Sequence, residues 1–202
     1  YMPAFRNKVW DGKIRLYNSQ SQELPVGLFP YLQEFCGPRN YKVEVEHSNY
    51  YGLPGATVDV DPAELSDFIN ALSLSTKGTR INPHDYQIEA ICEGLHRKRS
   101  ILLSPTGSGK SLIIYVLMRY LLEKTNKKCL IIVPTTSLVQ QMYSDFEDYS
   151  YYDSDFVVEN ECHRIYSGKE KNVGQNVIIS TWQSVYKLPG KWFEQFGMVF
   201  GD

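Results

Sequence analysis

Hydrophobic positions change their spacing along this chain, and the change divides it in two. In the first part, Lys13-Ile14-Arg15-Leu16-Tyr17 and Tyr41-Lys42-Val43-Glu44-Val45-Glu46 alternate polar and apolar side chains, the period of a strand with one buried face. Trp10-Asp11-Gly12-Lys13 precedes the first of them with an Asp-Gly pair suited to positive φ, which predicts a hairpin. Between these strands Leu28, Tyr31, Leu32 and Phe35 recur at helical spacing. Leu65, Phe68, Ile69 and Leu72 do so again in a helix from Pro62 to Leu72, with Asp61 as N-cap and Pro62 at its first position. A small α+β unit is expected over residues 1–77, because from Ser73 to Pro83 the composition shifts to the Ser, Thr, Lys and Gly of a connection.

From residue 78 to residue 202 the pattern becomes short continuous apolar runs separated by helical segments. Ile101–Leu103, Leu130–Val133, Ile165–Tyr166, Val177–Ser180 and Met198–Phe200 read as buried strands, whereas Leu112 to Leu122 is too long and too apolar for one. This alternation predicts an α/β lobe, a parallel sheet with helices on both faces.

Bulk properties narrow the function only slightly. A hydrophobic fraction of 43% over 202 residues supports a real core, and a net charge of −2 means that any nucleic-acid binding must rest on a local surface. One such surface is Arg6, Lys8, Lys13 and Arg15 around Asp11, read equally as a DNA-contacting patch, with Trp10 as a stacking residue, or as a solvated strand face with Trp10 in a small core. His96-Arg97-Lys98-Arg99 ends a helix, where cations complement the dipole. Cys36, Cys92, Cys129 and Cys162 are too scattered for a zinc site or a disulfide framework and are expected to be reduced, buried thiols. The apolar Leu112 to Leu122 is too short to span a bilayer and no signal peptide is visible, so a cytoplasmic setting is expected. A start at Tyr1 and a stop at Asp202 after Met198-Val199-Phe200 read as the ends of a piece of a longer protein.

The chemistry concentrates in Ser104-Pro105-Thr106-Gly107-Ser108-Gly109-Lys110-Ser111. A small-residue loop between an apolar run and a long helix is the sequence of a phosphate cradle. Its glycines let backbone N–H groups turn inward, and the helix N-terminus adds positive potential. Thr106, Gly107, Ser108 and Gly109 would line the cradle, Lys110 would reach the β- and γ-phosphates, and the Ser111 hydroxyl would help hold Mg²⁺. Ser104 stands where the usual pattern has its first glycine. Upstream, Asn82-Pro83-His84-Asp85-Tyr86-Gln87 opens a helix, and the Gln87 amide can both donate to and accept from the adenine edge. Tyr86 is expected in the core. Downstream, Pro134-Thr135-Thr136-Ser137-Leu138-Val139-Gln140-Gln141 and Ser180-Thr181-Trp182-Gln183 follow strands, at the edge where open α/β sheets bind ligands. Thr135 and Thr136 also suit helix capping.

This ordered set, with Tyr166-Ser167-Gly168 between, resembles the superfamily 2 DNA helicases. Trp10-Asp11-Gly12-Lys13-Ile14-Arg15-Leu16 and Lys191-Trp192-Phe193-Glu194-Gln195-Phe196-Gly197 are similar to the phage UvsW-like branch. The resemblance implies a small N-terminal domain, then most of the first of two RecA-like lobes, cut at the DExH box whose first acidic residue is Asp202. It further implies ATP and Mg²⁺ as cofactors, with Gln87 on adenine, Lys110 and Asp202 in catalysis, and Ser111 with Asp202 supporting the metal, the latter through water. A single strand of DNA would run along Thr135, Gly168 and Thr181, while Lys13 and Arg15 of the first unit stay open between DNA contact and a solvated strand face. The implied activity is ATP-driven unwinding or branch migration of recombination and replication intermediates. The second lobe would supply arginines against the γ-phosphate, so this piece alone is expected to bind nucleotide without turnover. A nucleic-acid-binding module for branched DNA, with a P-loop of little independent activity, is the alternative.

Overall fold

The computed structural model describes residues 6–45, 57–166, 170–171 and 173–202. The chain divides into two compact units, one ending at Thr57 and the other running from Val58 to Asp202. The sequence places this division near Lys77; the helix between the two points explains the difference. Leu65, Ile69 and Leu72 of that helix, with Leu74 beyond it, are buried in the main core of the second unit, so an apolar stripe that could have closed a small module instead closes the larger one.

In the first unit a 3-10 turn over Val26–Leu28 leads into helix α1 (Phe29–Cys36), close to the predicted span. Among the described residues the expected hairpin is absent. Gly12 does take a positive φ of 78°, but Asp11 closes that turn with its own side chain, accepting from Lys13 N at 3.0 Å and pairing with Arg15 at 2.6 Å. A short-range polar lock of this kind competes with strand pairing. The only pairing among the described residues here is an isolated bridge between Asn18 and Glu23. Residues 41–45 are likewise not a strand, and Glu46 lies outside the described residues.

The second unit opens with helix α2 (Pro62–Ala71), capped as expected by Asp61, which accepts from Ala63 N at 2.9 Å. A two-residue hairpin follows, β1 (Ser75–Thr76) with β2 (Thr79–Arg80). Then come helices α3 (Asp85–Arg97) and α4 (Lys110–Lys124), strand β3 (Lys128–Val133), helix α5 (Thr136–Tyr149), the short α6 (Val158–Glu161), β4 (Cys162–Ile165) and β5 (Val177–Thr181). One-turn helices α7 (Trp182–Val185) and α8 (Gly190–Phe193) precede β6 (Phe196–Gly201).

Strands β4-β5-β3-β6 form one parallel sheet in that order. Its two faces separate by the alternation of side chains. Cys129, Ile131, Val133, Val177 and Ile179 join the core built with α2 to α5, whereas Leu130, Ile165 and Ile178 join Val185 and Trp192 on the opposite face. Both faces are therefore covered, which is why these strands read as continuous apolar runs.

One expected strand is missing. Ile101–Leu103 lies outside the sheet, with Ile101 88% and Leu103 95% exposed. An apolar run specifies a tendency to pair but supplies no partner. Here the neighbouring edge is β6, and a cavity of about 700 Å³ lined by Ile101, Leu102 and residues 197–202 intervenes.

Candidate nucleotide and nucleic-acid site

The Ser104–Ser111 loop owes its shape to two glycines in the left-handed region, Gly107 at φ 81° and Gly109 at φ 77°, the second of which is the N-cap of α4. Side chains at these positions would be strained. The Pro105 carbonyl sits at the loop's centre, accepting from Ser108 Oγ at 2.8 Å, Ser108 N at 3.3 Å and Lys110 Nζ at 3.3 Å. Ser104 Oγ bonds Ser108 Oγ. The residue that departs from the usual glycine is thus a brace that holds the two ends of the loop together.

Helix α3 supports the loop from behind. Gln87, Ile91 and Leu95 form its buried stripe; Gln87 accepts from His84 N at 2.8 Å and donates to Ser108 O at 2.9 Å. A primary amide has two N–H donors and two acceptor lone pairs, so one of each remains for a ligand. Tyr86 is not a core residue. It stands beside the buried stripe, 49% exposed, stacks on His84 and donates to Ser108 O at 3.1 Å.

The cavity next to the loop brings together Ser104, Lys110 and Asp202. Asp202 is held at the sheet's end by its backbone N–H, which donates to Ile132 O at 3.0 Å. Ser111 does not line this cavity. Its hydroxyl pairs with Tyr149 Oη of α5 at 2.8 Å. Burial pushes the Asp145 carboxyl above its ordinary range, with the Ser111 hydrogen bond opposing; burial raises the Tyr149 phenol too, again against a Ser111 hydrogen bond. No motif announced these two partners, since Tyr149 is 38 residues from Ser111 and looks like any helix residue.

The donor set suits ATP and Mg²⁺. A glycine-shaped loop at a helix N-terminus with one lysine fits a polyphosphate. A hydroxyl and a carboxylate are the hard oxygens that Mg²⁺ takes in small number, and among the described residues no cluster of three His, Cys, Asp or Glu groups suggests a dedicated metal cage. All four cysteines are free, Cys36, Cys129 and Cys162 buried and Cys92 partly so. Among the described residues no helix is long and apolar enough to cross a membrane.

The nucleic-acid candidates fare unequally. Thr135 caps α5 by accepting from Leu138 N at 3.3 Å, and its residue remains exposed. Thr181 lies opposite Val133 in the β3–β5 ladder, on the same edge of the sheet, but it is only 4% exposed and its hydroxyl pairs with Ser184 Oγ at 2.9 Å. Gly168 lies outside the described residues. Lys13 and Arg15 belong to the first unit and are exposed, with Arg15 bound to Asp11, whose carboxyl it holds below the usual range.

A covered parallel sheet with a glycine-shaped loop opening a helix defines a P-loop α/β lobe. The family model for the type III restriction enzyme res subunit matches residues 80–200, and that for the N-terminal part of the DNA helicase UvsW matches residues 1–46. An ATP-dependent DNA helicase uvsW of Enterobacteria phage T4 is 37% identical over all 202 residues of this chain, which spans 39% of that protein's length. A crystal structure of the UvsW helicase from bacteriophage T4 superposes with a TM-score of 0.80 at 37% identity, over 99% of this chain and 68% of that one. A second T4 UvsW crystal structure gives 0.80 at 36% identity, over 100% of this chain and 40% of that one. The chain belongs to the type III restriction enzyme res-subunit family and, within the superfamily 2 helicases, to the UvsW-like group.

Proposed function

We propose that this chain is the N-terminal unit and first RecA-like lobe of an ATP-dependent DNA helicase that unwinds or branch-migrates recombination and replication intermediates. The observation that carries the reading is Lys110 at the start of α4, tied back to the loop carbonyl of Pro105 and bordering the same cavity as Asp202. Lys110 would neutralise the β- and γ-phosphates, and residues Thr106, Gly107, Ser108 and Gly109 would donate backbone N–H groups to them. Ser111 and, through water, Asp202 would hold Mg²⁺, for which Ser111 exchanges its bond to Tyr149. Gln87 would turn its remaining donor and acceptor to adenine while still bracing Ser108. ATP hydrolysis supplies the free energy for movement along DNA. Thr135, Gly168 and Thr181 would grip the phosphates of one strand, fixing its position without reading its sequence, which suits a translocating motor. The chain's own setting would be cytoplasmic.

Fluorescent ATP titrated into this chain, with and without Mg²⁺, tests the reading. Lys110→Ala is expected to weaken binding at least about tenfold, a loss of about 1.4 kcal/mol, while strand displacement by the whole protein is abolished. Equal nucleotide affinity in wild type and variant would overturn it.

A further inference from the structure

Two large aromatic side chains at helix α7, Trp182 and the C-cap Tyr186, are left open to solvent. Trp182 is 52% and Tyr186 56% exposed, whereas Trp192 is buried and donates its indole N–H to Lys171 O. The two open rings are one helical turn apart, with centroids 5.4 Å from each other, and the Tyr186 N–H closes the turn on Trp182 O at 3.0 Å. Val185, between them, is 2% exposed and packs with Leu130, Ile165 and Ile178. Helix α7 is therefore anchored through Val185 and stiffened at its start by the Thr181–Ser184 hydroxyl pair, while both rings face outward. Lys187 places its ammonium 5.4 Å from the Tyr186 ring centroid. The first ring follows directly on Thr181, which lies beside Val133, two residues before the exposed Thr135. Rigid, exposed aromatic faces with a cation next to them, on the sheet edge assigned to a DNA strand, have the chemistry of a base-stacking platform.

We infer that Trp182 and Tyr186 form a stacking site for unpaired bases of single-stranded DNA, with Lys187 available to the adjoining phosphate. The inference rests on the helicase reading of this lobe. It adds to the phosphate grip a contact that any base can make, because every base presents a π-face. It also distinguishes single from double strands, since a paired and stacked base cannot offer that face.

Anisotropy titrations of this chain with a labelled oligothymidylate and with an abasic backbone of equal length test it. Wild type is expected to prefer the thymidylate by about five- to 150-fold, the range for stacking one base. Trp182→Ala should lose that preference and keep wild-type affinity for the abasic strand, and Trp182→Phe should retain most of it. Equal binding of both strands by wild type overturns the platform and leaves the helicase reading standing; binding of neither overturns both. An alanine variant that loses both strands equally, or that changes self-association in place of base preference, assigns Trp182 to the fold or to a second copy and also overturns the proposal.

Discussion

Substituting alanine at Gly109 and at Gly107 separates two costs that the loop combines. Both residues are in the left-handed region, where a side chain costs about 1–2 kcal/mol. A Cβ on Gly107 meets nothing within 4 Å, whereas one on Gly109 runs into Gln87 Nε2, with Gln87 Cδ at 3.6 Å. Gln87 is 4% exposed, so moving its amide off Ser108 O leaves that buried N–H without its acceptor, at a further cost of about 1–3 kcal/mol. In urea unfolding followed by circular dichroism, with m near about 2 kcal/mol/M, the two midpoints should differ by about 0.5–1.5 M. Gln87→Ala completes the cycle: in its background Gly109→Ala should cost no more than Gly107→Ala, a coupling expected only for residues in contact. If the two glycine variants are equally destabilised, or if the extra penalty at Gly109 survives the loss of Gln87, Gln87 is not the brace described above.

Two other predictions concern the frame around the loop. Burial pushes the Tyr115 phenol up to about 12, against the Arg119 guanidinium; the folded state then holds this proton while the unfolded chain releases it near pH 10, so stability falls between these values by up to about 3 kcal/mol. The difference in stability between wild type and Tyr115→Phe, measured from pH 9 to pH 12, should follow that slope, and a flat difference would refute it. Asp148→Ala removes the acceptors of Thr76 Oγ1 at 3.0 Å and Lys77 N at 2.6 Å. Unchanged hydrogen-exchange protection at Lys77 would contradict the expected local loss of about 1–3 kcal/mol.

What the sequence disclosed and what it withheld follow from range. Asp61 and Thr135 were legible as caps because a cap is settled within three residues, and the P-loop because its glycines answer to their own φ angles. The runs at Leu130 and Val177 were legible because both faces of the sheet are covered. Ile101–Leu103 has equal apolar character, but its pairing depends on a partner edge that no local pattern encodes. The hairpin at Trp10 failed for the opposite reason, since Asp11 satisfied Lys13 and Arg15 locally. Tyr149 at Ser111 and Asp148 at the β1–β2 hairpin arise from helix packing across long separations, where single residues carry no signal. The unit boundary moved because α2 could bury its stripe on either side, and the larger core took it.

Among the described residues no strand pairs with the outer edge of β6, which bears on behaviour at high concentration. Val199 is 59% exposed there, and Ile101, outside any strand among the described residues, lines the same cavity. Unsatisfied backbone beside aliphatic side chains is a template onto which another chain can add a strand. This chain is therefore expected to self-associate as its concentration rises, through contacts that salt does little to screen, and a lysine at Val199 is the natural gatekeeper for keeping it dispersed.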